Sequence, residues 1–235
     1  METSNKSLLV TSDVHAGVRQ ALILTAVTGM VDAVSFLALG HVFTANMTGN
    51  VVFLGFAIGG AAGLSVSRSL MALICFSVGA LLGGWMTRKM IPQDSGAMLA
   101  HALVIETIFF CFAAAASIGF SAPYEEHKLR ISLVIALTAV AMGLRNSVMR
   151  RLAIPDLTTT VLTLTIAGLA ADSSLAGGDN PRWQRRSAAI LAIIAGATAG
   201  AFTLRYSVAA PLSVCGLMSG ICALNQMYLE SKRSL

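Results

Sequence analysis

The chain has 235 residues, 56% of them hydrophobic and only 11% charged, with a mean hydropathy of +0.77. A soluble domain carries roughly a quarter charged residues, so this composition excludes an ordinary water-soluble fold and points to bilayer spans. The net charge of +5 would suit nucleic acid, but lysine and arginine sit at the ends of apolar runs, where membrane topology places them, and no basic patch with interleaved aromatics occurs.

In chain order, residues 1–17 form a polar tail of mixed charge. It lacks the short apolar core and small-residue cleavage site of a signal peptide and is expected on the cytoplasmic side. Apolar runs then follow at Val18–Leu39, Thr44–Gly63, Ser69–Trp85, Ala97–Phe120, Leu129–Met149, Leu157–Leu175, Ser187–Leu204 and Val208–Tyr228. The expected fold is all-α, a polytopic membrane helix bundle. The first two runs are joined by almost nothing, and the sixth opens on Pro155 and Asp156, a helix start followed by a threonine-rich stretch.

Charge placement arbitrates between two topologies. If all eight runs span, Arg88, Lys89, Arg145, Arg150, Arg151 and Arg205 lie on the face opposite the remaining basic residues. If the second and sixth runs enter and return on one side, only Arg68, Lys128, Arg130 and Arg205 do. The second arrangement fits the positive-inside rule better. We therefore expect six spans plus two re-entrant or broken helices, with eight spans as the alternative. Both termini would be cytoplasmic.

The chain contains two similar stretches. Gly29–Gly55 (GMVDAVSFLALGHVFTANMTGNVVFLG) aligns without a gap on Gly143–Leu169 (GLRNSVMRRLAIPDLTTTVLTLTIAGL), so that Gly29 meets Gly143, Asp32 meets Asn146 and Thr44 meets Thr158. A second block, Ser77–Gly83 with Trp85 and Arg88, recurs at a slightly larger offset as Ile194–Gly200 with Phe202 and Arg205. The pattern predicts an internal repeat, residues 18–120 and 121–228, followed by a tail over 229–235. With six spans the two copies would point in opposite directions, a common plan among secondary transporters.

Each copy places a polar knot between apolar segments. Asp32 lies deep in the first run, in a stripe with Thr25, Thr28 and Ser35; an intramembrane carboxylate marks either a proton or cation site or a structural acid with a buried donor. Glu106, in the middle of the fourth run, is the other candidate for proton coupling, with a hydrogen-bonded helix contact as the structural alternative. Arg145 is the natural counter-ion for Asp32 or Glu106, unless it snorkels to the interface with Arg150 and Arg151. Thr44, Asn46, Thr48 and Asn50 in one copy, and Asn146, Asp156, Thr158 and Thr159 in the other, are the candidate substrate or ion ligands. A helix beginning in mid-membrane leaves free N–H groups and a positive dipole end, although Thr44 and Asp156 can also serve as plain caps. His41, just before the knot, reads as an interface residue more readily than as a titrating switch.

Cys75, Cys111, Cys215 and Cys222 lie inside apolar runs without CxxC spacing and read as small core residues. No metal site, cofactor motif or catalytic signature occurs, so the protein is not expected to be an enzyme. The pairs Gly55/Gly59, Gly79/Gly83, Gly196/Gly200 and Gly216/Gly220 have the spacing that lets helices approach closely, and one of them could serve a homodimer face. Trp85, Tyr124, Trp183, Tyr206 and Tyr228 fall near run ends, as interfacial belts do.

At TGMVDAVSFLALGHVFTANMTGNVVFLG and again at RRLAIPDLTTTVLTLT, the chain resembles the YoaK-like family of bacterial inner-membrane proteins, grouped as domain of unknown function 1275. The resemblance runs from about Ala16 to Tyr228. It implies a multi-pass inner-membrane protein and brings no catalytic residues with it. The residues themselves favour a small-solute or ion transporter or channel with its polar site between two repeats. The alternative is a non-transporting scaffold or stress-associated partner protein. The bilayer is the implied partner in either case.

Overall fold

The computed structural model of the chain describes residues 2–89, 95–120, 127–152 and 162–233. Among these the regular structure is helical: α1 (Glu2–Ala38), α2 (Met47–Ile58), α3 (Val66–Lys89), α4 (Ser95–Ala116), α5 (Lys128–Leu152), α6 (Leu162–Ala171), α7 (Trp183–Thr203) and α8 (Ala209–Arg233), with a 3-10 turn at Ser174–Ala176. Local chemistry starts several of them. Ser65 Oγ accepts from Arg68 N–H before α3, and Ser207 Oγ accepts from Ala210 N–H before α8. Pro211 is tolerated because it sits in the first turn of α8.

Six helices are long and apolar enough to cross a bilayer: the Gly17–Ala38 part of α1, then α3, α4, α5, α7 and most of α8. The 12 residues of α2 reach about 18 Å at ~1.5 Å per residue, well short of the roughly 30 Å hydrocarbon core, and α6 is shorter still. The end positions of Trp85, Trp183, Tyr206 and Tyr228 leave their rings exposed, with Lys89 over Trp85 and Lys232 over Tyr228, as suits an interfacial belt. Tyr124 lies outside the described residues.

Helix directions follow from the contacts. Gly79 lies against Val140 and Gly83 against Leu144, so α3 and α5 run parallel; Gly196 lies against Ala26 and Gly200 against Met30, so α7 and α1 also run parallel. Glu106 meets Arg145 while Arg130 reaches the carbonyls of Ala116 and Ile118, so α4 and α5 are antiparallel. Gly220 sits on Thr107 and Gly96 on Glu230, so α4 and α8 are antiparallel too. Gln20 Nε2 donates to Cys222 O at 3.0 Å, which places the start of the α1 span beside the end of α8. Thus α1, α4 and α7 cross in one sense and α3, α5 and α8 in the other. The end of α1 and the start of α3 share a face, so the chain carrying α2 enters from that face and returns to it. The end of α5 and the start of α7 share the opposite face, and α6 packs on α7 between them in sequence.

The dominant packing is α3 on α5, α1 on α7 and α4 on α8. Without a hydrophobic drive between helices in lipid, close backbone approach supplies the attraction. A Cβ on Gly29 would stand 2.3 Å from Ile193 O, and one on Gly143 would stand 2.0 Å from Phe76 O. Gly79 and Gly196 are as tightly placed against Val140 O and Ala26 O. These contacts correspond pair by pair under the two offsets of the sequence alignment. The other glycine pairs behave differently. Gly216 and Gly220 make ordinary contacts with α4, while Gly55 has no neighbour within 4 Å and Gly59 meets only carbonyls of its own helix. The close-approach expectation therefore holds for Gly79/Gly83 and Gly196/Gly200 and not for Gly55/Gly59, because α2 presents that face to lipid.

Gly143→Leu or Gly29→Leu, which must push two backbones apart, is expected to lower stability by at least about 1–3 kcal/mol. Gly84→Ala, which meets nothing within 4 Å, is expected to stay within about 0.5 kcal/mol of wild type. Thermal unfolding of the three variants in detergent checks this; equal melting temperatures would remove the close-approach account.

Candidate functional site

The largest fully buried side chain among the described residues is a charged one. Arg145 of α5 is 0% exposed and pairs with Glu106 of α4, also 0% exposed, through an Nη1–Oε1 contact of 2.8 Å. Its Nη2 donates to Thr28 Oγ1 of α1, and Thr28 Oγ1 in turn donates to Leu24 O at 3.0 Å. Ser219 of α8 donates to the same Glu106 Oε1 at 3.0 Å. Four of the spanning helices therefore meet at one ion pair; the same helices also share a buried apolar cluster that includes Val27, Val31, Phe110, Met142 and Cys215. Sequence reasoning named Arg145 as a counter-ion and left Asp32 and Glu106 open as its partner; the short contact is to Glu106. The snorkelling alternative is excluded for Arg145 by its burial, although Arg150 and Arg151 are exposed. Glu106 Oε2 and Arg145 Nε are buried with no hydrogen-bond partner among the described residues.

The polar knot lies against the upper part of α1. After Leu39 the chain reverses through Gly40 and His41, both at positive φ (92° and 57°), a conformation glycine adopts at little cost. It then descends until Ala45 N–H donates to Asp32 Oδ1 at 2.9 Å, with the amides of Thr44 and Asn46 facing the same carboxylate. Asp32 lies about 9 Å below the end of α1 at ~1.5 Å per residue, so α2 begins at that depth. Asn50 closes the loop: its Oδ1 accepts from Phe43 N–H at 2.8 Å and its Nδ2 donates to Phe43 O. Phe36, Phe43 and Phe53 form a three-ring cluster, with centroids 5.4 Å apart for Phe43 and each of the others and 5.9 Å for Phe36 and Phe53. His41 is exposed with its ring edge-on to Phe36 at 5.1 Å.

The candidate ligands thus separate. Thr44 is fully buried with no partner for its hydroxyl among the described residues, which corrects the capping alternative: α2 is preceded by Asn46, which makes no side-chain cap, and Asp32 from α1 holds the nearby amides instead. Asn50 is buried and occupied by Phe43, while Asn46 and Thr48 are exposed. In the other half, Asn146 is half-buried on α5. Asp156, Thr158 and Thr159 lie outside the described residues. Ser219 was missed by sequence reasoning, since a serine in a run of small residues gives no signal of a carboxylate facing it across a helix pair.

Arg145→Met, which strands Glu106 in the core, is expected to cost about 3–5 kcal/mol, whereas Arg145→Met combined with Glu106→Leu should recover most of that loss. Unfolding in mixed micelles measures the cycle. A double variant no more stable than the single one would show that the ion pair is not a coupled unit.

The chain matches the family described as protein of unknown function (DUF1275) over residues 20–224. It is also 38% identical over 154 residues to the UPF0700 transmembrane protein YoaK of Bacillus subtilis (strain 168), a match covering 65% of this chain and 64% of that protein. The chain thus aligns with somewhat less than two thirds of the length of that relative. No solved structure matches it. With the family pattern extending from the start of the α1 span to within α8, and so over all six spans and the polar centre, this multi-pass membrane protein belongs to the DUF1275 family.

Proposed function

We propose that the protein is a small inverted-repeat transporter or channel for a small solute or ion, with its polar site at the centre of the bundle. The observation that carries this reading is a set of buried polar atoms at mid-span without a protein partner among the described residues: Glu106 Oε2, Arg145 Nε and Thr44 Oγ1. Buried polar atoms are ordinarily hydrogen-bonded, and ionisable groups inside a membrane mark substrate or proton pathways. The opposite crossing sense of the two sets of spans, the corresponding glycine contacts and the half-helix α2 starting inside the bundle all support an inverted repeat of the transporter kind. In this reading Asp32 and Glu106 carry the coupling proton and Arg145 is the counter-ion. Thr44 and the amides around it contact the solute together with Asn46, Thr48 and Asn50. From the second half, Asp156, Thr158 and Thr159, which lie outside the described residues, are assigned to the same site, whereas Asn146 lines the groove between α3 and α5. No covalent chemistry is assigned to the protein, and a homodimer is compatible with this plan.

The face with the start of the α1 span and the end of α8 collects Arg19, Arg88, Lys89, Arg150, Arg151, Arg182 and Lys232, while Arg68, Lys128, Arg130 and Arg205 lie on the other. The positive-inside rule assigns the first face to the cytoplasm of a bacterial inner membrane. A reporter inserted after Gly63 is then expected to read periplasmic and one after Gly178 cytoplasmic. A shared side for the two would restore the eight-span arrangement.

One observation favours the scaffold reading instead: Asp32, Asn50 and Arg145 are each engaged by the protein's own groups. Flux decides between the two. Purified protein in liposomes, assayed for proton movement and for uptake of a panel of labelled small solutes, is expected to exceed empty liposomes. Asp32→Asn and Glu106→Gln should each lower the flux at least tenfold. Wild-type flux equal to that of empty liposomes, or equal flux in all three proteins, would leave the scaffold.

A further inference from the structure

The groove between α3 and α5 has no part in the central ion pair. It is open, with a volume of ≈ 1060 Å³, at the upper end of small-molecule sites, about 300–1,000 Å³, and far larger than a bare inorganic anion needs. Its chemistry changes along its length. On α3, Phe76, Ala80, Leu81 and Gly84 form a mainly apolar stripe, interrupted by Ser77, that continues into Thr87 and Arg88; α5 contributes Asn146, Ser147, Arg150 and Arg151. Because α3 and α5 run parallel, the three arginines gather at one end of the groove, at the cytoplasmic membrane boundary assigned above. All three are exposed, in the last described turns of α3 and α5.

We propose that this groove seats one anionic phospholipid of the inner leaflet, with its phosphate on Arg88, Arg150 and Arg151 and an acyl chain along Phe76, Ala80, Leu81 and Gly84. Charge complementarity selects the headgroup: three guanidiniums suit bidentate recognition of a phosphate, and basic pockets between spanning helices on the cytoplasmic side are a recurrent headgroup site. The apolar stripe selects a lipid over a free phosphate. Gly84, with nothing within 4 Å of where a Cβ would be, leaves the wall of the stripe open for a chain. Complementing the helix C-terminal dipoles would also favour basic residues here, but that need is general, whereas this cluster is local. Under the offset that pairs Gly29 with Gly143, the α1 counterparts of Arg150 and Arg151 are Phe36 and Leu37. The corresponding groove of the other half keeps Arg205 as the counterpart of Arg88 but lacks the other two arginines, so the three-guanidinium cluster is confined to one leaflet.

The test is native mass spectrometry of the purified full chain in detergent, titrated with dioleoylphosphatidylglycerol or dioleoylphosphatidylcholine. Wild type should retain one phosphatidylglycerol at least tenfold more tightly than phosphatidylcholine, and millimolar inorganic phosphate should not displace it. The triple variant Arg88→Gln/Arg150→Gln/Arg151→Gln should lose at least tenfold in phosphatidylglycerol affinity. A charge-matched control, Lys89→Gln/Arg182→Gln/Lys232→Gln, should stay within twofold. Gly84→Trp, which fills the stripe and leaves the arginines intact, should also weaken binding, with unchanged elution and melting showing that the fold is preserved. Equal losses in the two triple variants would reduce the effect to surface charge, and displacement by inorganic phosphate would make the groove a plain anion site. A dimer that dissociates only in the groove variant, with lipid retention unchanged, would assign the groove to a second copy of the chain. Any of these three results overturns the proposal.

Discussion

The buried pair of Arg145 and Glu106 constrains everything around it. Two opposite charges taken out of water lose several kcal/mol of hydration each, and only a short, well-bonded contact offsets that. The contact exists only if α4 and α5 hold one register, and Thr28 and Ser219 add α1 and α8 to the same condition. A slide of one turn in α4 or α5 would part the two charges and leave each buried without its partner. In a bilayer, where apolar side chains are indifferent to one another and to lipid, such a polar lock selects one packing from many that are equally greasy.

The remaining register comes from backbone meeting backbone. Gly29 and Gly143 let α7 and α3 come so near that a single methyl group would collide with a carbonyl. These contacts join each half to the other: α1 packs on α7 and α3 on α5, whereas α1 and α3 share little. The central helices α1 and α5 are each 61% buried over their spans, against 22% for α3 and α7, and α1 and α5 bring Thr28, Asp32 and Arg145 to the polar centre, where α4 and α8 add Glu106 and Ser219. Neither half encloses a core of its own.

The knot between α1 and α2 shows how a membrane protein can hold irregular backbone at depth. Non-helical backbone is tolerated there only where protein or a cavity satisfies it. Asp32 and Asn50 do that from two sides, taking the amides and the carbonyl that the loop exposes, and the rings of Phe36, Phe43 and Phe53 cluster beside them. Thr44 is left buried beside this scaffolding with a free hydroxyl. The same residues that hold the half-helix in place thus frame the most suggestive polar atom near it.

By itself the sequence determined the membrane class, the six long spans, the two short helices, their entry from opposite faces and the polar character of the centre. Those properties are carried by uninterrupted apolar length, by the placement of lysine and arginine, and by proline, glycine and threonine at breaks, all of which are local along the chain. Only the tertiary structure decided that Arg145 faces Glu106 rather than Asp32, that Ser219 completes the pair, that Asn50 serves its own loop, and that Gly55/Gly59 faces lipid while Gly79/Gly83 meets a helix. Each of these depends on which face of one apolar helix meets which face of another, and the α1–α8 helix faces differ too little in hydrophobicity for composition to rank them. In water the polar face of a helix announces its orientation; in lipid that signal is absent, and a few hydrogen bonds and missing side chains decide it.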